Sequence, residues 1–264
     1  RAGQEADGRI DRWYDCRGNG KYAKCSLGTS RTNAVLATTG TEGAGGVLPN
    51  RSYVDFGTNS GMYWYGADDK QLWLSNMREY HIVFMVTASG NYRPIGGDRG
   101  QYDVKAIFPS GNLSKIFWDN DDNSCRIARD AAKKIDDSAW YTGDYWLPGG
   151  ATLSTTTFYV QSFAATNSVQ AYSFAIDRES CGHGHVKLCE AIIFTGATNT
   201  TARAEAIHAY LLNKWKGLGA NPISIGLDRV QVAAGGSLSL KSEVPFSVAS
   251  LTGGGTLNLS GAAV

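Results

Sequence analysis

The sequence has almost no charge bias: 25 Lys and Arg stand against 24 Asp and Glu, a formal net charge of +1. No block of Lys or Arg stands out, which argues against a nucleic-acid partner held through phosphate contacts. No apolar run approaches the roughly 18 residues that a membrane-spanning helix needs, so no membrane insertion is expected. There is no G-x-S-x-G elbow, no H-E-x-x-H helix and no phosphate-binding loop. The five cysteines include no C-x-x-C pair, which removes the usual zinc spacings. The chain starts at Arg1 rather than Met and is expected to be part of a larger parent chain.

What is present is glycine and aromatic residues. Thirty-two glycines against six prolines, with 11% aromatics, fit many short strands joined by turns. A chain of 264 residues buries a full core. Tyr80 to Val86 is an apolar run that reads as a strand buried on both faces, with His81 at its edge as a hydrogen-bonded strand histidine. Ala191 to Phe194 is a second apolar run, too short for a helix and rich in β-branched and aromatic residues. Leu153 to Phe163 alternates with high β propensity, and Ala171 to Ile176 repeats the signal. Ile107-Phe108 and Ile116 to Trp118 flank the turn Pro109-Ser110-Gly111-Asn112 and predict a hairpin. Residues 31–48 read as a loop or weak strands.

From Ala202 the period becomes 3.6. Ile207, Leu211 and Trp215 make an apolar stripe beside Ala204 and Tyr210, Lys214 and Lys216 suit the last turn, and Gly217 is the stop. Seven or eight scattered strands and one terminal helix predict an all-β, two-sheet antiparallel sandwich with one C-terminal amphipathic helix.

Glu190, Ile192, Ile193 and Phe194, followed by Tyr210, Leu211, Lys214 and Trp215, resemble the closing segment of bacterial LamG-like jelly-roll domains of the concanavalin A-like lectin/glucanase superfamily. Trp13, Asp15, Gly18, Asn19 and Gly20 resemble the W-x-D-x-x-G-N-G hairpin near the start of such domains. The resemblance implies a jelly roll on which the final helix folds back as a lid. It also implies that Trp13 packs in the core and that Asp15 and Asn19 stabilise a turn. Past Gly219 the composition shifts. Residues 223–264 carry Asp228, Arg229, Lys241 and Glu243 as their charged side chains and resemble the strand-and-glycine repeats of autotransporter-type passenger segments. Residues 1–219 are therefore expected to be the sandwich and 220–264 a Gly-rich β tail. Such a tail either packs on the sandwich or begins a longer β array.

Cys16 and Cys25 straddle the Gly18-Asn19-Gly20 turn, and a bridge between them closes a loop of about 10 residues worth roughly 2–3 kcal/mol. Cys181 and Cys189 offer a similar pairing, and either offers one to Cys125. At least one disulfide and an extracellular or cell-surface setting are expected, with buried free thiols as the alternative.

Glucanases on this fold carry E-x-D-x-x-E on one strand. That triplet is missing here; Asp177 and Glu179 come nearest, without a third carboxylate, and no catalytic residue is assigned. His183 and His185 need a further ligand such as Glu190 to hold a metal. Asp119, Asp121 and Asn123, with Asp130 further on, echo a calcium loop, although Ser124 replaces the usual glycine. The resemblance adds to this reading, since LamG-like domains often hold calcium in a rim loop, so calcium is the one possible cofactor. The binding candidates are aromatic. Trp140, Tyr141, Asp144, Tyr145 and Trp146 crowd rings and carboxylates into one short segment, and Trp64, between Tyr63 and Tyr65, is a second place. The alternative for the first cluster is that Trp140 and Trp146 cover a sheet. The expected function is a non-catalytic carbohydrate-binding or adhesion module of a secreted or surface bacterial protein, with a glycan or glycoprotein as partner. A ligand-free spacer and a divergent glycoside hydrolase are the alternatives.

Overall fold

The computed structural model describes residues 2–4, 9–25, 34–89, 94–96, 113, 131–143, 147–178, 181–196 and 201–218, and, toward the C-terminus, 225–227, 230–232, 234, 237–242, 246–248, 251–254 and 256–261. The chain forms two compact units, 1–204 and 205–264. The first is built of β1 (Ala2–Gln4), β2 (Arg9–Tyr14), β3 (Tyr22–Cys25), β4 (Ala34–Thr38), β5 (Ser52–Asp55), β6 (Met62–Tyr65) and β7 (Leu74–Val86). It continues with β8 (Ile95–Gly96), β9 (Ala132–Ile135), β10 (Tyr159–Ala171), β11 (Ser173–Phe174), β12 (Ile176–Arg178), β13 (Cys181–His183) and β14 (Val186–Thr195). The expected all-β, antiparallel sandwich is what forms. Twelve strands share one ladder in the order β8-β11-β6-β3-β2-β4-β5-β14-β7-β10-β9, with β1 beside β2.

The two arms of that ladder contribute to one apolar cluster. Ile10, Ala23, Met62, Trp64 and Phe174 come from the β8-to-β2 arm, and Val54, Ile82, Phe84, Phe163 and Leu188 from the β5-to-β9 arm. A strand's side chains alternate between faces, and on β7 this sends Tyr80, Ile82, Phe84 and Val86 into the cluster. Glu79, His81, Val83 and Met85 point the other way and are buried too, so β7 is covered on both faces, as its apolar run predicts. Each fully buried Ile or Phe here contributes about 1.5–3 kcal/mol.

The β2–β3 hairpin turns as the sequence implies. Asp15 accepts from the Arg17 backbone N–H at 2.9 Å, from Arg17 Nη2 at 2.6 Å and from Asn19 Nδ2 at 3.0 Å. Asn19 Oδ1 in turn accepts the Lys21 N–H at 3.1 Å, and Gly18 and Gly20 take the positive φ that the turn requires. Trp13 packs against the core. The Arg17 hydrogen bond, set against the cost of burial, holds the Asp15 carboxyl at a pKa of about 2. Replacing Asp15 by alanine is expected to cost about 1–2 kcal/mol, read as a lower urea midpoint at unchanged m-value. For the wild type, Asp15's contribution fades as the pH falls from the ordinary carboxylate range through about 2. An unchanged midpoint in the variant refutes this role.

The expected Cys16–Cys25 bridge is not there. Cys16 is a free, exposed thiol in the turn, and Cys25 is free and buried, its thiol donating to the Ile10 carbonyl at 3.2 Å. The register explains this: Tyr14 pairs with Tyr22 and Arg12 with Lys24, so Cys16 lies beyond the paired residues and never opposite Cys25. Cys189 is also free and buried, and burial pushes its thiol pKa well up. No disulfide forms among the described residues.

The strand predicted from Leu153 starts later, at Tyr159. Ser154 Oγ accepts the Thr156 N–H at 3.2 Å and lies 2.9 Å from Thr156 Oγ1, a local turn in which hydroxyls divert the backbone from a ladder. The hairpin predicted around Pro109 lies outside the described residues.

A helix spans Thr201–Leu211, followed by one π-helical turn, Leu212–Lys216, which ends at Gly217 in the left-handed region (φ 67°). Its buried stripe is Ala204, His208, Leu211 and Trp215, with His208 in the place expected of Ile207. The C-terminal unit continues as β15 (Ile225–Leu227), β16 (Val230–Val232), β17 (Ser237–Ser242), β18 (Phe246–Val248), β19 (Leu251–Gly253) and β20 (Thr256–Gly261). Here the pairing turns parallel. Ile225 pairs with Phe246, Val230 with Leu251 and Ser237 with Thr256, so β15, β16 and β17 are matched in the same order by β18, β19 and β20. That is one three-strand coil laid on the next.

Candidate functional site

The hairpin register builds an aromatic outward face on β2, β3 and β6. Trp13, Ala23 and Trp64 align across the three strands on the core side. The alternate residues align on the opposite side as the row Tyr14, Tyr22 and Tyr65, with Arg12, Lys24 and Tyr63 beside it. Tyr14 and Tyr22 have ring centroids 5.8 Å apart, and Tyr22 stacks on Tyr65 at 5.4 Å. Tyr63 stacks on Tyr172 at 5.4 Å, and Tyr172 on Trp73 at 4.4 Å. Tyr14 is 39% exposed, among the most exposed large apolar side chains described. Tyr22 is buried beneath its neighbours at 7% exposure and Tyr172 is fully buried, while Tyr63, Tyr65 and Trp73 are half-buried.

Arg12 ties the row together. Its guanidinium carbon lies 4.8 Å from the Tyr22 ring centroid, in cation–π range. A hydrogen bond with Tyr14 is the main cause of its raised pKa. Asp11 Oδ2 is 3.5 Å from Arg12 Nε. Rings that offer apolar area, with cations and a carboxylate at their edges, suit a ligand that is apolar on one face and hydroxylated at its rim.

The residues singled out from sequence are dispersed. Trp64 lies in the core at 5% exposure, edge-on to Phe174 at 5.0 Å, because strand alternation turns it inward while Tyr63 and Tyr65 face out. Trp140 and Tyr141 part as well, Tyr141 being held by an isolated bridge to Lys133. Tyr141 exchanges backbone hydrogen bonds with Lys133 at 2.9 Å and packs against the core, with buried Lys133 Nζ 5.4 Å from its ring centroid. Trp140 is half-buried with Lys134 Nζ 5.9 Å from its ring centroid. Two such neighbours cannot form one flat platform. Asp144, Tyr145 and Trp146, and the calcium candidates Asp119, Asp121, Asn123 and Asp130, lie outside the described residues. Among the described residues no group of three metal-ligating side chains comes together.

A second polar cluster joins residues far apart in sequence. His81 Nδ1 is 2.7 Å from Ser162 Oγ, His81 Nε2 is 2.8 Å from Glu79 Oε1, and Arg203 Nη2 donates to Glu79 Oε2 at 2.5 Å. The β7–β10 register sets His81 opposite Ser162, and the first turn of the helix supplies Arg203. Glu79, His81 and Ser162 are each 0% exposed, so no substrate atom reaches the Ser162 hydroxyl in this structure. The chain serine–histidine–carboxylate is here a buried, hydrogen-bonded strut across strands. His81 is the strand histidine that the sequence suggests.

Compared with known proteins, the chain matches no family model, no curated protein and no solved structure. Sequence reading missed Tyr14 and Tyr22, although a signal was present. Tyr14 and Tyr22 are equally spaced about Gly18, as are Arg12 and Lys24, which is how partners fall in a hairpin turning there.

Proposed function

We propose that this chain is a non-catalytic carbohydrate-binding or adhesion module, of LamG-like jelly-roll type, from a secreted or surface bacterial protein. The observation that carries the reading is the pair of accessible rings Tyr14 and Tyr65, set on either side of buried Tyr22 and flanked by Arg12, Lys24 and Tyr63. Sugar rings have apolar C–H faces and polar rims. Stacking that removes roughly 100 Å² of apolar surface from water contributes about 2.5 kcal/mol. A millimolar site needs about 4 kcal/mol, so two rings with hydrogen-bonding partners suffice. Trp140 beside Lys134 is a lesser candidate of the same kind, with one accessible ring in place of two.

A glycan array probed with the wild-type chain tests this. Tyr65→Ala is expected to weaken a specific signal by about 2.5 kcal/mol, well over ten-fold. Tyr14→Ala is expected to act in the same direction and Trp140→Ala to matter less. A silent array favours the second reading, a structural spacer within a long surface protein, and a signal indifferent to both tyrosine changes moves the site off this face. The parallel ladders of the C-terminal unit support that reading, since coils of this kind stack into rods.

A further inference from the structure

We infer that the outward face of β2, β3 and β6 selects anionic sugars, an inference that rests on the carbohydrate-binding reading above. The antiparallel register sets Arg12 directly opposite Lys24. Like charges in that position repel and weaken the strand pair. Its surroundings suit a bound anion. Tyr22 lies under the Arg12 guanidinium, and Tyr63 is the cross-strand partner of Lys24 on its other side. Asp11 offsets the charge of Arg12. Among the described residues no carboxylate is in salt-bridge range of Lys24.

The face thus holds one uncompensated ammonium among aromatic rings. A sugar stacked on Tyr65 or Tyr63 with a carboxylate or sulfate at its rim places that anion between Lys24 and Arg12. Charge-assisted hydrogen bonds to both cations then replace their mutual repulsion. A neutral sugar stacks equally well and leaves the repulsion in place.

The test is an array in which each acidic glycan is printed beside its neutral counterpart: uronates and sialates beside their methyl esters, sulfated glycans beside the desulfated ones. The full chain is expected to bind an acidic member at least about ten-fold more tightly than its neutral pair, the scale of one charge-assisted contact. Whether the ester or the desulfation arm loses binding tells carboxylate from sulfate. Lys24→Gln is expected to bring the acidic glycan to the level of the neutral one. Since it also removes a like-charge pair, its melting temperature is expected to equal or exceed that of the wild type, which separates lost recognition from lost folding. Equal binding of acidic and neutral members, abolished by Tyr65→Ala, overturns the anionic selection and leaves the aromatic site standing. Silence across the array overturns the carbohydrate reading itself, and binding that survives both Tyr14→Ala and Tyr65→Ala overturns this face as its site and the anionic selection with it.

Discussion

Replacing Glu79 with alanine is expected to lower the free energy of unfolding by about 3–5 kcal/mol, the scale found when one partner of a buried ion pair is removed. Glu79 is fully buried, and its two carboxylate oxygens are taken by His81 and Arg203. Without it, His81 loses the acceptor that fixes its ring, and the Arg203 guanidinium is left beside Phe194, whose ring centroid is 4.5 Å from its Cζ. Urea unfolding measures the loss. A cycle pairing Glu79→Ala with Arg203→Ala reports how much belongs to the ion pair, and a loss under about 1 kcal/mol, the ceiling for most exposed pairs, would show that the strut is not buried in solution.

The same cluster sets an acid response in two stages. Burial lowers the His81 pKa despite the pull of Glu79, so the folded state holds the ring neutral. The unfolded chain takes up that proton near pH 6.5. Stability is therefore full above about 6.5 and falls as the pH drops toward the depressed folded value. Burial opposes ionisation of Glu79 as well, but hydrogen bonds from His81 and Arg203 outweigh it and hold the carboxyl below its ordinary range. A second loss then sets in below about pH 4.3, where the unfolded carboxylate protonates. Melting temperatures between pH 7.5 and 5.5 are expected to show a shallower slope for His81→Gln than for the wild type. Identical slopes would mean that His81 titrates alike folded and unfolded.

The other large effect separates two tryptophans. Trp64→Ala is expected to cost about 3–5 kcal/mol, the usual range for a large aromatic deleted from a packed core. Trp64 contacts Phe174 edge-on and sits in the central cluster. Trp140→Ala, at a half-buried loop position, is expected to change stability by about 1 kcal/mol or less. Chemical unfolding of both variants checks the pair. Similar losses would contradict the inward placement of Trp64.

Much of the strand content was legible because burial writes itself into sequence. Tyr80 to Val86 is the apolar run that a doubly covered strand requires, Ala191 to Phe194 is a half-buried one, and both lie in central strands. The Gly18-Asn19-Gly20 turn was readable for the same local reason: Asp15 and Asn19 satisfy backbone donors within a few residues of themselves. Less legible was which side of a strand each ring takes. Tyr63, Trp64 and Tyr65 look alike as a cluster, yet a one-residue step changes a half-buried ring on the far face into a core ring. The cysteines misled because proximity along the chain is not opposition across a ladder, and Cys25 turned out to face the Ile10 carbonyl.

By itself the sequence determined the class of the fold, antiparallel β with one helix closed at Gly217, because period, turn chemistry and caps act over a few residues. Only the tertiary structure decided the assembly of sites, because ladder register is a long-range choice. It brought Tyr65 beside Tyr22 and Tyr14, and joined Glu79, Ser162 and Arg203 through His81. Tyr65 lies tens of residues from Tyr22, as Ser162 and Arg203 do from His81, and no local pattern encodes those pairings.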